Sequence, residues 1–400
     1  MRFWGLLLVL LPLLTAPQAV DAQQKDKARK QKSKDADADI TAAEAEILGY
    51  EYYNGENGKK VDYASAVYFY NIAAKKNSAV AQNNLGNCYF YGHGVEKNYK
   101  VALEWYRKAA RQNYGSALNN IGNCYKQGLG VEQNYEEAAK WYDRAAERND
   151  PAGLNNLAIC YYYGHGVEQI YTEAAALYRR AAARGNAVAQ LNLANCYFKG
   201  HGVEKNRYEA IEWYRKAAMA GLETAQYNLG YCYYQGHGVD RDIDQAVEWY
   251  RKAANRGNAW AQNNLGICYK NGTGVKRDYS EAVKWFMKAA GQGHAFAQNN
   301  MGVCYFYGQG VEKNESKAVK LFEAAAKQGH GWAQNNLANC YFHGMGVEQN
   351  RAKAMEIYNK LAQEGNAEAK DRLERIKNND FDWELGEAAA AAADAAADIE

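Results

Sequence analysis

The chain has 400 residues, with 48 basic and 46 acidic side chains and a formal net charge of +2. That balance excludes nucleic acid as the main partner, because tracking a phosphate backbone needs a basic stripe. Three prolines against 33 tyrosines suit an aromatic-rich helical array.

In chain order, residues 1–22 read as a signal peptide. Arg2 gives the positive start, Phe3 to Ala16 is apolar, and Val20-Asp21-Ala22 offers small residues for cleavage before Gln23. The apolar run is broken by Pro12 and is too short for a spanning helix. An exported protein is expected, periplasmic or secreted (or in the endoplasmic reticulum lumen of a eukaryote), with no membrane span after cleavage. Residues 23–41 pass from lysine-rich to aspartate-rich with almost nothing apolar, as a disordered charged linker does.

From Ala79 the chain repeats itself. Cys88, Cys124, Cys160, Cys196, Cys232, Cys268, Cys304 and Cys340 are all of its cysteines, at a constant step of 36. A fixed period of this length marks an array in which each unit buries its apolar face on its neighbours. Eight units run from 79–114 to 331–366. A degenerate first copy occupies 42–78, and a lone helix, Ala367 to Lys377, covers the last core with Leu373 and Ile376. Residues 378–400 are an acidic, alanine-rich tail in which the alanine run follows Phe381-Asp382-Trp383-Glu384-Leu385, a segment able to fold back into an aromatic groove.

With Ala79 as position one, Ala81, Leu85, Cys88 and Tyr89 form the core stripe of a first helix. Gly86 lets two helices approach, Gly92 and Gly94 end the helix, and Val95 plugs the loop onto the core. Asn98 opens the second helix as its N-cap, repeated at Asn134, Asn206, Asp242, Asp278, Asn314 and Asn350. Asn134 with Glu137 and Asp278 with Glu281 approximate capping boxes. Ala102, Trp105 or Tyr106, Ala109 and Ala110 face inward on the second helix.

L-G-x-x-Y, then G-x-G-V, then A-x-x-W-Y-x-K-A-A, with Gly92-His93-Gly94-Val95 and Tyr106-Arg107-Lys108-Ala109-Ala110 as one copy, resembles the Sel-one-like repeat (SLR) of the tetratricopeptide-repeat-like superfamily. The resemblance covers about 42–377. It implies an all-α fold, a right-handed α-solenoid of antiparallel helix pairs whose first helices line a concave face. It also implies an adaptor or scaffold for protein or peptide, monomeric and not an enzyme. A cysteine-rich branch of the family, linked to β-lactam or peptidoglycan binding or β-lactamase activity, is the alternative. Its in-repeat cysteine pairs are missing here, as are S-x-x-K, G-x-S-x-G and H-E-x-x-H.

Cysteines one repeat apart are separated by at least a helix layer, about 8–10 Å, which is too far for a disulfide. Eight buried thiols are expected. His93, His165, His201 and His237 sit on separate repeats as exposed loop residues, so no metal or cofactor is expected. The peptide-binding candidates lie on the first-helix side taken to face away from the core. Position five supplies Asn83, Asn119, Asn155, Asn263, Asn299 and Asn335, and position nine alternates Asn with apolar residues. Position twelve supplies Phe90, Tyr162, Phe198, Tyr234, Phe306 and Phe342, and position two supplies Trp260, Phe296 and Trp332. Amides can pair with an extended main chain while rings give contact area. The position-six asparagines, Asn84 and its copies, are expected to satisfy neighbouring backbone groups.

Overall fold

A computed structural model describes residues 40–378, so the signal-peptide reading, nearly all of the linker and the tail lie outside the described residues. The described residues form nineteen helices and no strand. Eighteen of the helices have thirteen residues and the last, Ala367–Lys377, has eleven.

The helix ends follow from side-chain chemistry. Asn98 accepts hydrogen bonds from the backbone N–H groups of Lys100 and Val101, and Asp278 does the same for Ser280 and Glu281. These bonds satisfy amides that the helix itself leaves open. Ile170 breaks the pattern and offers no side-chain cap to the helix Tyr171–Ala183. The two capping boxes read from the sequence are only half present, because Glu137 and Glu281 turn to Lys140 and Lys284. The complete box is at Thr41 and Glu44, where each side chain accepts from the other's backbone N–H. The ordered array therefore starts at the last residue assigned to the linker.

Gly92 and Gly94 answer two different needs. Gly92 is left-handed, with φ 80°, and its N–H returns to the Cys88 carbonyl. Gly94 lies against the start of the preceding second helix, where a Cβ would stand 2.2 Å from the Tyr63 carbonyl oxygen. Val95 packs beside the core as expected.

Within a hairpin, Gly86 meets the Tyr106 ring so closely that a Cβ would come within 2.6 Å of it. Tyr106 is the aromatic residue that goes inside, together with Ala102, Ala109 and Ala110. Trp105 stays half-buried at the flank, with the Lys108 ammonium 3.6 Å from its ring centroid. All eight cysteines are free and buried, as read from the period. Burial pushes the thiols of Cys88, Cys196, Cys232, Cys268 and Cys340 up to about 12.

By contacts the chain divides into two units. One holds the described residues through Asn156 with His165–Val167, and the other holds Leu157–Gly164 and the chain from Glu168 onward. In the first, the hairpins Ala42–Asn54 with Tyr63–Lys75, Ala79–Tyr91 with Tyr99–Arg111, and Gly115–Gln127 with Tyr135–Glu147 stack in order. In the second, four hairpins run from Ala187–Lys199 with Arg207–Met219 to Ala295–Tyr307 with Glu315–Lys327. Gly331–His343 with Arg351–Gln363 follows them, and Ala367–Lys377 packs on the last of these helices. Each unit is thus an all-α stack of repeated hairpins.

Candidate functional site: buried amides and an aromatic row

The position-five asparagines do not face away from the core. Asn83, Asn119, Asn155, Asn263, Asn299 and Asn335 are all buried, with exposures between 1% and 7%. A first helix in an array packs against its own second helix and against the next repeat, so one stripe of its surface is not the whole of its buried face. Position five looks at the next repeat. Asn120 donates to the Asn83 side-chain oxygen at 3.0 Å and Asn156 to that of Asn119 at 2.7 Å. Asn300 donates to Asn263 at 2.9 Å and Asn336 to Asn299 at 3.0 Å. The position-six amides thus satisfy side chains of the preceding repeat, where backbone groups were expected. At the end of the array Asn335 donates to Asn366 at 3.1 Å.

Position nine also serves the hairpin. Asn87, Asn123 and Asn195 accept from the hydroxyls of Tyr106, Tyr142 and Tyr214 at 2.8, 2.8 and 2.6 Å, and Asn339 accepts from Tyr358. Where position nine is Ile267 or Val303, the residue nineteen further on is Phe286 or Phe322, which has no hydroxyl to satisfy. In six of the eight full repeats the two columns vary together in the sequence, Asn with Tyr or an aliphatic residue with Phe, whereas Ile159 with Tyr178 and Tyr231 with Tyr250 depart from the pairing. Position four is a third inward amide: Gln226 and Gln262 donate to the Ala218 and Ala254 carbonyls at the end of the preceding helix.

The position-twelve rings are divided. Phe90, Tyr162, Phe198 and Tyr234 are half-buried, whereas Phe306 and Phe342 are buried. The next repeat's loop sits on several of them, which corrects the reading of the loop histidines as merely exposed. Nδ1 of His201 shares a hydrogen bond of 2.7 Å with the Tyr162 hydroxyl, and His237 lies 5.9 Å from the Phe198 ring. In the first unit His93 stacks on Tyr63 at 4.5 Å. His165 does remain exposed.

The candidate ring most open to solvent is at position two in the second unit. Trp260 is 40% exposed, and Phe296 and Trp332 are half-buried. Trp260 meets His294 at 4.4 Å and 90°, and Phe296 meets His330 at 4.5 Å and 83°. The two imidazoles are helix caps that the sequence reading did not single out. Nδ1 of His294 accepts from the Ala297 N–H at 3.2 Å, and Nδ1 of His330 accepts from Ala333 at 3.1 Å. Ser78, Asn186, Asn258 and Asn366 cap at the same repeat position, and that column was the available signal. Burial holds both imidazoles down to about 4, so they are neutral caps. Among the described residues no three His, Cys, Asp or Glu side chains converge as a metal site.

Capped helix pairs, repeated at a constant step and joined by side-chain amides, define a helical-hairpin repeat protein. The chain belongs to the Sel1 repeat family, whose profile matches nine times, at 46–78, 79–114, 115–150, 151–186, 187–222, 224–258, 261–294, 295–330 and 333–366. It is similar to a protective antigen of uropathogenic Escherichia coli that displays an SLR fold. The two are 31% identical over 88% of this chain and 82% of that one, with a TM-score of 0.52. It is also similar to a Sel1 repeat protein from Oxalobacter formigenes, at 33% identity over 61% of this chain and 96% of that one, with a TM-score of 0.56. None of the curated proteins compared with the chain matches it. A Sel1 repeat scaffold of this kind is suited to protein–protein interaction.

Proposed function

We propose that the chain is an exported, non-enzymatic adaptor that binds an extended protein segment along the first-helix side of its second unit, the concave face expected of the family. Trp260, Phe296 and Trp332 are the anchors. The observation that carries this reading is the 40% exposure of Trp260 at the head of a row of rings held in place by packing. A large apolar ring kept rigid and wet costs little ordering entropy when a partner covers it. The buried amides then act one layer below the anchors: they hold the repeats in register and do not touch the ligand. Export rests on the character of residues 1–22. The β-lactam alternative depended on paired cysteines, and every cysteine is a free thiol in the core.

Selection of a random peptide library against the immobilised chain tests the proposal. Enriched peptides should be rich in apolar side chains and should lose at least about tenfold in affinity for a Trp260→Ala, Phe296→Ala, Trp332→Ala variant, as hot-spot anchors do. Unchanged retention by a variant with an unaltered melting temperature would refute the proposed face.

A further inference from the structure

The second helices carry their own repeated device. Trp213, Trp249 and Trp285 each lie under a lysine three residues later, with Lys216, Lys252 and Lys288 at 3.8, 4.1 and 4.0 Å from the ring centroids. In the first unit Trp105 and Trp141 lie under Lys108 and Arg144 in the same way. Trp285 packs on the core cluster that contains Ala254 and Leu265, beside Tyr269. Each of these repeats therefore has a seat for an indole, with an apolar floor and a cation above it.

In the last repeat the equivalent residue is Ile357, and the seat is partly empty. A cleft of about 370 Å³ opens there, with Ala326, Leu337, Tyr341, Ile357 and Leu361 among its walls. Ala326, Leu337 and Tyr341 are the counterparts of Ala254, Leu265 and Tyr269. Lys360 holds the place of Lys288, with an isoleucine below it where Lys288 has an indole. Lys327, Lys353, Glu323 and Glu356 also line the cleft; Glu323 accepts from the Tyr341 hydroxyl at 3.1 Å, and Lys353 donates to that hydroxyl at 2.6 Å.

We propose that this cleft receives the indole of Trp383, carried by the chain's own Phe381–Leu385 segment. Five of the eight full repeats place an indole at this position, with Leu177, Leu321 and Ile357 in the others, and it is at Ile357 that a cleft opens. The helix Ala367–Lys377 packs on Arg351–Gln363, which forms one wall of the cleft, and Trp383 follows Asn378 by five residues. Five extended residues span about 17 Å, more than one helix layer. Asp382 and Glu384 flank the indole, and the cleft they would approach carries three lysines against two glutamates, a net positive charge of one. Tethering gives the indole an effective concentration of order millimolar, so a single ring suffices for docking.

The test uses the full chain labelled with 5-fluorotryptophan, whose nine tryptophans give fluorine resonances, with Trp383→Phe identifying the line of interest. The Trp383 line should be displaced from that of free tryptophan and protected from a soluble paramagnetic quencher. Ile357→Trp, which rebuilds the seat of the other repeats, should return the line to the free position and raise quenching several-fold. Lys360→Glu, a change at an exposed rim residue, should raise quenching while leaving the fold intact, which keeps the test decisive if Ile357→Trp fails to fold. A Trp383 line that is fully quenched in the parent chain, or unmoved in folded variants, overturns the proposal. A line that reverts on dilution also overturns it and assigns the cleft to the tail of a second copy.

Discussion

Asn195 and Tyr214 show how far a single residue's role depends on its partner. Alone, an asparagine in mid-helix is a poor helix former that suggests a ligand. Next to a buried tyrosine it is the acceptor that lets the hydroxyl leave water. Asn195→Ala should cost about 1–3 kcal/mol, because the buried Tyr214 O–H loses the acceptor it donates to. Adding Tyr214→Phe, with isoleucine at 195, should restore most of that loss, since the Ile267–Phe286 pair shows the apolar version fits. Urea midpoints of the single and double variants measure it, and a double variant as weak as the single one would contradict the pairing.

At the scale of the element, the helices Ala295–Tyr307 and Gly331–His343 depend on neutral histidines at their starts. The folded-state pKa of each lies at about 4, below its unfolded value near 6.5. A depressed histidine contributes stability that is fully present above pH 6.5 and lost as the pH falls toward 4, where the unfolded chain takes up protons the folded one refuses. Each should lose about 1.4 kcal/mol per pH unit in that window. A His294→Asn, His330→Asn variant keeps the caps, as Asn258 does, without the titration. Between pH 7 and 5 the parent chain should therefore lose about 4 kcal/mol more than the variant in denaturant titrations. Parallel pH profiles would rule the histidines out.

At the scale of the whole molecule, the eight cysteines report on the array. All eight are buried, and burial pushes up the thiols of Cys88, Cys124, Cys196, Cys232, Cys268, Cys304 and Cys340, so labelling waits for opening of a repeat. A maleimide should label negligibly under native conditions and reach eight per chain in denaturant. Rapid native labelling at any cysteine would place a local opening in its repeat. The amide ladder acts at this scale too. Asn263, Asn299 and Asn335 look like ligand groups in the sequence, yet each is tied to a side chain beyond its own hairpin.

The period alone determined the repeat boundaries, the helix pairs, the second-helix caps and the interior cysteines. Those depend on spacing along one chain, which a strict step of 36 states directly. Which face of the first helix stayed open was decided only by the tertiary structure. Helical periodicity marks one stripe as apolar, but a helix flanked by repeats is also buried through polar contacts, and hydrogen-bonded asparagines carry no hydrophobic signature. For the same reason the loop histidines and the capping His294 and His330 were placed by neighbours that arrive from a repeat away.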